Sequence, residues 1–116
     1  MNSRQKGARG EREWAAFLTE NGCAARRGVQ YQGGPDSPDV VCVRLNEFHF
    51  EVKRTETFSA YNAMDQAVSE KPNAAMPVVA HKRNRGGWLV VMRAGDFLQL
   101  ALMAKVGETK VKEVTP

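Results

Sequence analysis

The sequence is short of cysteine, has no long apolar run, and contains one extended basic stretch without a single acid. Two cysteines, Cys23 and Cys42, in 116 residues are too few for a disulfide framework and lack the paired spacing of a zinc site. The apolar runs are only a few residues long, far short of the roughly 20 needed to cross a bilayer. The opening Met1-Asn2-Ser3-Arg4-Gln5-Lys6-Gly7 is polar and carries no apolar segment of the secretory kind. No repeat, linker or low-complexity tract breaks the chain. These absences lead to the expectation of a reduced, cytoplasmic protein with no membrane segment and no small-molecule cofactor.

What is present is ordinary globular material, with 42% hydrophobic and 26% charged residues. A chain of this length buries roughly 65% of its unfolded surface, enough for one domain with its own core. We expect that domain over residues 1–107, followed by a polar tail over 108–116. The net charge is +4, and its placement says more than its size. Residues 1–12 carry Arg4, Lys6, Arg9 and Arg12 against Glu11 alone. Residues 71–95 carry Lys71, Lys82, Arg83, Arg85 and Arg93 and no acid. Clustered cations of this kind are the footprint of phosphate-backbone contact. Arg4, Lys6, Arg9, Arg12, Arg26, Arg27, Lys82, Arg83 and Arg85 are the candidate DNA-binding residues.

The pattern along the chain predicts a helix from about Arg9 to Asn21, ended by Asn21-Gly22, with Trp14, Phe17 and Leu18 on its apolar stripe. Ser3 is a possible earlier cap. Ala24 to Arg27 reads as a short strand and Val29 to Pro38 as a loop. Val40 to Val43 and Phe48 to Lys53, separated by a turn at Asn46, read as a β-hairpin. Ser59 caps a helix from Ala60 to about Lys71, stopped by Pro72. A second hairpin joins Pro77–Lys82 to Trp88–Met92 through Asn84-Arg85-Gly86-Gly87. Asp96 caps a last short helix through Lys105, ended by Gly107. Together these make a small α/β domain, with a mixed, mostly antiparallel sheet flanked by helices.

The second strand of the first hairpin carries unusual chemistry. Phe48, Phe50 and Val52 alternate on one face, and His49, Glu51 and Lys53 on the other. Residues two apart in a strand stand about 6.6 Å apart on the same side, so Glu51 and Lys53 aim at one spot. Taken alone, the triplet also suits the solvent side of an edge strand. Pro38-Asp39 opens the partner strand, 12 residues before Glu51. In a hairpin with the three-residue loop Leu45-Asn46-Glu47, Asp39 falls opposite Lys53 and shares its face. A two-residue loop turns it away. Glu11 shares a helical stripe with Trp14, Ala15 and Leu18. A carboxylate there is paired, metal-bound or at the helix edge, or it stabilises a helix N-terminus near Arg9. Two or three carboxylates beside a lysine suit metal-dependent phosphodiester cleavage. Mg²⁺ takes oxygen ligands, and lysine meets developing negative charge.

Pro38-Asp39 followed by Glu51-Val52-Lys53 resembles the PD-(D/E)xK nuclease pattern. The resemblance extends to Lys6-Gly7 with Glu11-Arg12, the helix ending Asn21-Gly22 and the strand ending Arg26-Arg27. It continues through Gln66 and Val78-Val79-Ala80-His81-Lys82 leading to Trp88. Over residues 4–93 the chain is similar to archaeal-type Holliday junction resolvases and their phage relatives. The resemblance implies a restriction-endonuclease-like fold. It also implies Glu11, Asp39 and Glu51 as catalytic and metal-holding acids, Lys53 as the catalytic lysine and Gln66 as an accessory active-site residue. Where those resolvases carry a serine-glycine-rich loop, this chain has Gln30-Tyr31-Gln32-Gly33-Gly34-Pro35-Asp36-Ser37. Asp36 also neighbours a proline, but Asp39 leads directly into the apolar strand.

The leading expectation is a Mg²⁺-dependent endonuclease, with Mn²⁺ able to substitute, that acts on branched DNA as a homodimer. Alternatives are a nuclease nicking other branched or duplex DNA, and a non-catalytic basic nucleic-acid-binding module. His49 can serve as ligand or base but reads as a surface partner. His81 suits phosphate contact or a solvated strand end. Tyr31 and Tyr61 read as packing residues, Trp14 and Trp88 as core, and the two cysteines as small core residues. The last helix, with Phe97, Leu98, Leu100, Ala101, Leu102 and Met103, is apolar nearly all round. One face is expected to cover the sheet and the other to meet a second copy.

Overall fold

A computed structural model describes the backbone of residues 3–28 and 39–114 and the side chains of 7–28 and 39–106. The expected loop Val29 to Pro38, with Tyr31, Asp36 and Ser37, lies outside the described residues, as do the side chains of Arg4 and Lys6.

Helix α1 spans Ser3–Glu20 and so starts earlier than the Arg9 start expected from its stripe. Trp14, Ala15 and Leu18 are buried along it. It ends where the chain needs a left-handed residue: Gly22 has φ +89°. The Cys23 amide donates to Leu18 O at 2.9 Å and the Gly22 amide to Thr19 O at 3.1 Å, which satisfies the last carbonyls. Strand β1 (Arg26–Arg27) pairs antiparallel with β2 (Val40–Val41).

The expected hairpin between Val40–Val43 and Phe48–Lys53 does not form. After β2 the chain coils into a 3-10 turn, Val43–Leu45, closed by the Leu45 amide on Cys42 O at 3.1 Å. Strand β3 (Phe48–Arg54) instead pairs in parallel with β4 (Met76–Lys82) in a seven-residue ladder, and helix α2 (Ala60–Glu70) makes the crossover. The physical reason is burial. Pro77 to His81 are buried on both sides of the sheet, and a continuous apolar run of that kind suits a parallel strand covered on both faces. The full length of β4 also matches β3, whereas β2 offers two residues. The second hairpin stands as expected: β4 pairs antiparallel with β5 (Leu89–Val91), and Arg85 takes φ 63° in the turn. The Ser59 cap of α2 is also present, its side chain accepting from the Asn62 amide at 3.4 Å. The result is a small α/β domain with a two-stranded ribbon and a mixed three-stranded sheet, β3-β4-β5.

Period-two alternation sorts the two cores. Phe50, Val78 and Ala80 join Trp14 and Leu18 of α1, with Phe48 and Val52 packed alongside. Val79 faces the other way and joins Ala63 and Ala67 of α2, with Phe58 and Met64. The sheet is thus sandwiched between α1 and α2. Gly10 makes the α1 approach possible: a Cβ there would stand 2.7 Å from Arg54 Cβ. Arg54 Nε in turn donates to Glu13 Oε2 at 2.9 Å, and Arg9 Nε donates to Glu13 Oε1 at 3.0 Å, pinning helix to strand.

Helix α3 spans Ala94–Val114. It passes through Gly107 instead of ending there, and Asp96 lies inside its first turn, paired with Arg93 at 2.8 Å, instead of capping it. Among the described residues α3 makes no substantial packing contact with another helix or strand, so it does not cover the sheet as expected. α1 and α2 already occupy both faces. Phe97, Leu98, Leu102, Met103 and Val106 are exposed along α3. Among the described residues no helix is long and apolar enough to cross a membrane.

Candidate active site

β3 stands at one side of the sheet order, with α1 against one face and α2 against the other, and acids from α1, α2, β3 and the segment before β2 come near one another around it. The odd residues of β3 do not face solvent, as an edge strand alone would allow. They face α2, which buries Glu51 to 3% exposure and His49 to 6%. Glu51 Oε1 stands 3.5 Å from Lys53 Nζ. Lys53 Nζ donates to Gln66 Oε1 at 2.7 Å, and Gln66 Nε2 donates to Glu70 Oε1 at 3.1 Å. Lysine, glutamine and the terminal acid of α2 therefore form one chain of contacts beside Glu51.

Glu11 is 9% exposed and lies in the third turn of α1. That is too far from the helix start for the dipole account, since the effect fades within the first turn. Its charge is met by Arg27, whose Nε donates to Glu11 Oε1 at 2.9 Å. Asp39, just before β2, is close enough to Glu11 and Glu70 to feel both charges. Glu51 in turn feels the charge of Asp39. Asp39 therefore links the α1 acid to the β3 acid, and it does so from the ribbon. The hairpin register that was expected to bring it to Lys53 plays no part.

Burial and crowding by like charge show in the acidities. The Asp39 carboxyl is pushed up to about 7, first by burial and then by the Glu11 and Glu70 charges, with Arg27 opposing. The Glu51 carboxyl is pushed up to about 8, first by burial and then by the neighbouring Glu70 carboxylate, with Lys53 opposing. Both are the response of buried carboxylates lacking enough positive charge. Burial pushes the His49 imidazole below its usual value, which favours the neutral ring.

Two residues at this site go beyond the sequence reading. Glu70 was not singled out. Its signal was present in its i,i+4 spacing from Gln66 on one face of α2. His49, expected at the surface, is buried. A donor atom from each of His49, Glu51 and Glu70 lies within 4.8 Å of the other two. Among the described residues, Glu11, Asp39 and Glu51 do not close into a group that tight.

The cationic candidates divide by contact. Arg27 and Arg9 are held by Glu11 and Glu13. Arg12, Arg26, Arg83 and Arg85 are exposed. Lys82 Nζ sits 6.0 Å from the Trp88 ring centre. His81 is buried instead of solvated. It stacks on Phe58 at 4.0 Å, and its Nε2 lies 2.9 Å from Thr55 O. Tyr61, expected to pack, is 86% exposed. Trp14 and Cys42 are core, and Trp88 and Cys23 pack against it.

Buried carboxylates and a glutamine-held lysine, carried by an α/β sheet between two helices, define a small nuclease-like domain. The chain belongs to the archaeal Holliday junction resolvase (Hjc) family, a PD-(D/E)xK nuclease family whose model matches residues 2–99. That family implies a nuclease that binds branched DNA. No curated protein and no solved structure matches the chain.

Proposed function

We propose that the protein is a metal-dependent endodeoxyribonuclease that resolves four-way DNA junctions. In this reading Glu11, Asp39 and Glu51 hold the ion and Lys53 and Gln66 complete the active site. The observation that carries it is the set of buried and half-buried carboxylates gathered around β3. Glu51 Oε2 is buried without a hydrogen-bond partner, and Asp39 and Glu51 both resist ionisation. An all-oxygen donor set short of positive charge fits Mg²⁺, with Mn²⁺ able to substitute. When bound, such an ion supplies Lewis-acid polarisation of the scissile phosphate.

The side chains do the rest. Arg27 fixes the Glu11 carboxylate. Gln66 holds Lys53 Nζ beside Glu51, where the ammonium meets the negative charge developing on the phosphate and orients the attacking water. Exposed arginines supply backbone contacts: Arg12 and Arg26 on one side, and Arg83 and Arg85 at the β4-β5 turn. Arg9 and Lys82 are assigned to the same role, and Arg4 and Lys6, whose side chains lie outside the described residues, are assigned to it from their charge in the sequence. The nuclease domain is assigned to residues 1–107, and the polar sequence 108–116 beyond it continues α3 as far as Val114. A DNA substrate places the enzyme in the cytoplasm, of the host if the chain is phage-encoded.

Labelled four-way junction, flap and linear duplex, each incubated with Mg²⁺ or with EDTA, test the proposal. The junction is expected to be cut in preference, and only with the ion. Equal cutting of linear duplex indicates a nicking nuclease. Binding without cutting indicates a non-catalytic module.

A further inference from the structure

We propose that His49, Glu51 and Glu70 form a second metal site, one that takes a first-row transition-metal dication such as Mn²⁺ or Zn²⁺ in preference to Mg²⁺. This goes beyond the nuclease reading and shares only Glu51 with it.

The geometry comes from two elements. His49 and Glu51 project from the same face of β3, and Glu70 ends α2 above them. One donor atom from each lies within 4.8 Å of the others. Donors around a single ion with bonds of about 2.0–2.2 Å stand about 3–4.4 Å apart, so a small side-chain adjustment closes the set. Glu70 is already steadied through Gln66 Nε2 at 3.1 Å, the kind of outer contact that orients a ligand.

The burial points to a missing partner. His49 and Glu51 are each more than nine-tenths buried, yet His49 Nε2 and Glu51 Oε2 have no hydrogen-bond partner. Buried polar atoms are almost always satisfied. Two unsatisfied atoms on neighbouring same-face residues, beside a third acid, are what a bound cation would resolve. The donor set then selects the ion. Imidazole nitrogen suits Zn²⁺ and its neighbours, the two carboxylates keep the site open to Mn²⁺ at lower affinity, and Mg²⁺ prefers oxygen and retained water. A cavity of about 300 Å³, walled mainly by apolar side chains such as Val41, Phe48 and Pro72, reaches His49. His81, the other histidine, is committed elsewhere: its Nε2 lies 2.9 Å from Thr55 O.

Pulsed EPR of Mn²⁺ added to the metal-free, full-length protein tests the site. The expected spectrum carries nitrogen modulation from a directly bound imidazole. The modulation should vanish in His49→Gln and persist in His81→Gln. Glu70→Gln should weaken Zn²⁺ binding by calorimetry at least ~10-fold, and excess Mg²⁺ should not displace Zn²⁺. Asp39→Asn separates the two readings, since it is expected to lose cleavage and keep the nitrogen signal. Wild-type protein that binds Mn²⁺ without nitrogen modulation overturns the proposal, whether or not the variants fold. So does a signal that survives His49→Gln in folded protein, or equal displacement by Mg²⁺. Nitrogen modulation in a protein that cuts no DNA leaves this site standing and removes the nuclease reading.

Discussion

Glu51 sits where three demands meet: deep burial, a neighbouring acid and a single lysine. Replacing Glu51 by Gln or Asp39 by Asn is expected to lower junction cleavage by ~10²–10³-fold or more, the usual scale for losing one electrostatic contributor. Lys53→Ala should do the same. DNA affinity, measured by gel shift, should hold or tighten, because a negative charge near phosphate is removed and the basic surface is untouched. Wild-type turnover in any of these variants refutes the assignment. The same residues set a pH dependence. Asp39 and Glu51 rise from 3.8 and 4.5 to about 7 and about 8, so the folded protein holds protons that the unfolded chain has released. Their contribution is full below about pH 4 and is lost as pH rises towards 8. Against an Asp39→Asn/Glu51→Gln variant, the metal-free wild type should lose Tm progressively over that interval. Added Mg²⁺ should recover Tm at pH 8 in the wild type only. A parallel pH course for the two proteins contradicts this.

Two glycines of α1 make a matched test at the scale of the element. Gly7 has nothing within 4 Å of a built Cβ, whereas at Gly10 the added carbon meets Arg54 Cβ at 2.7 Å. Alanine in a helix interior is favoured over glycine by roughly 0.5–1 kcal/mol. Gly7→Ala should therefore raise stability by about that amount. At Gly10 the same gain is outweighed by overpacking of about 1–3 kcal/mol, because Arg54 Cβ is fixed to β3 and has no freedom to swing aside. Gly10→Ala should lower the urea midpoint and Gly7→Ala should raise it. A stabilising Gly10→Ala would mean that helix and strand are not in close contact.

For the whole molecule, the distribution of charge and apolar surface leads to one prediction for DNA binding and one for assembly. Arg83→Ala with Arg85→Ala should weaken junction binding and flatten its salt dependence by about one to two counterions, leaving turnover of saturated enzyme in place. α3 is about 31 Å long at 1.5 Å per residue, stands apart from the sheet, and exposes Leu98, Leu102 and Val106 at i,i+4 spacing. A second copy provides the most economical cover, and C2 symmetry then gives two matched active sites for the two strands of a junction. Light scattering should show a dimer at micromolar concentration, and Leu98→Glu with Leu102→Glu should give a monomer that nicks without paired resolution. A monomeric wild type rules out this assembly.

The sequence by itself determined much of this protein. Alternation along Phe48–Lys53 separated the apolar and polar faces of β3, because side-chain direction in a strand is a local property. Ser59 and Pro72 bounded α2, and Asn84–Gly87 marked the β4-β5 turn, each through short-range backbone chemistry. The Glu11 stripe signalled a carboxylate that needed a partner. Tertiary structure decided what depended on partners distant in sequence. β3 chose β4 over its neighbour β2 because a seven-residue strand buried on both faces offered the longer ladder. Glu70 and His49 acquired their positions only when α2 was laid across the polar face of β3. Asp39 reached Glu11 from the ribbon instead of from a hairpin. Strand pairing and helix cover are settled by competition for burial across the whole chain, and no local pattern encodes the winner.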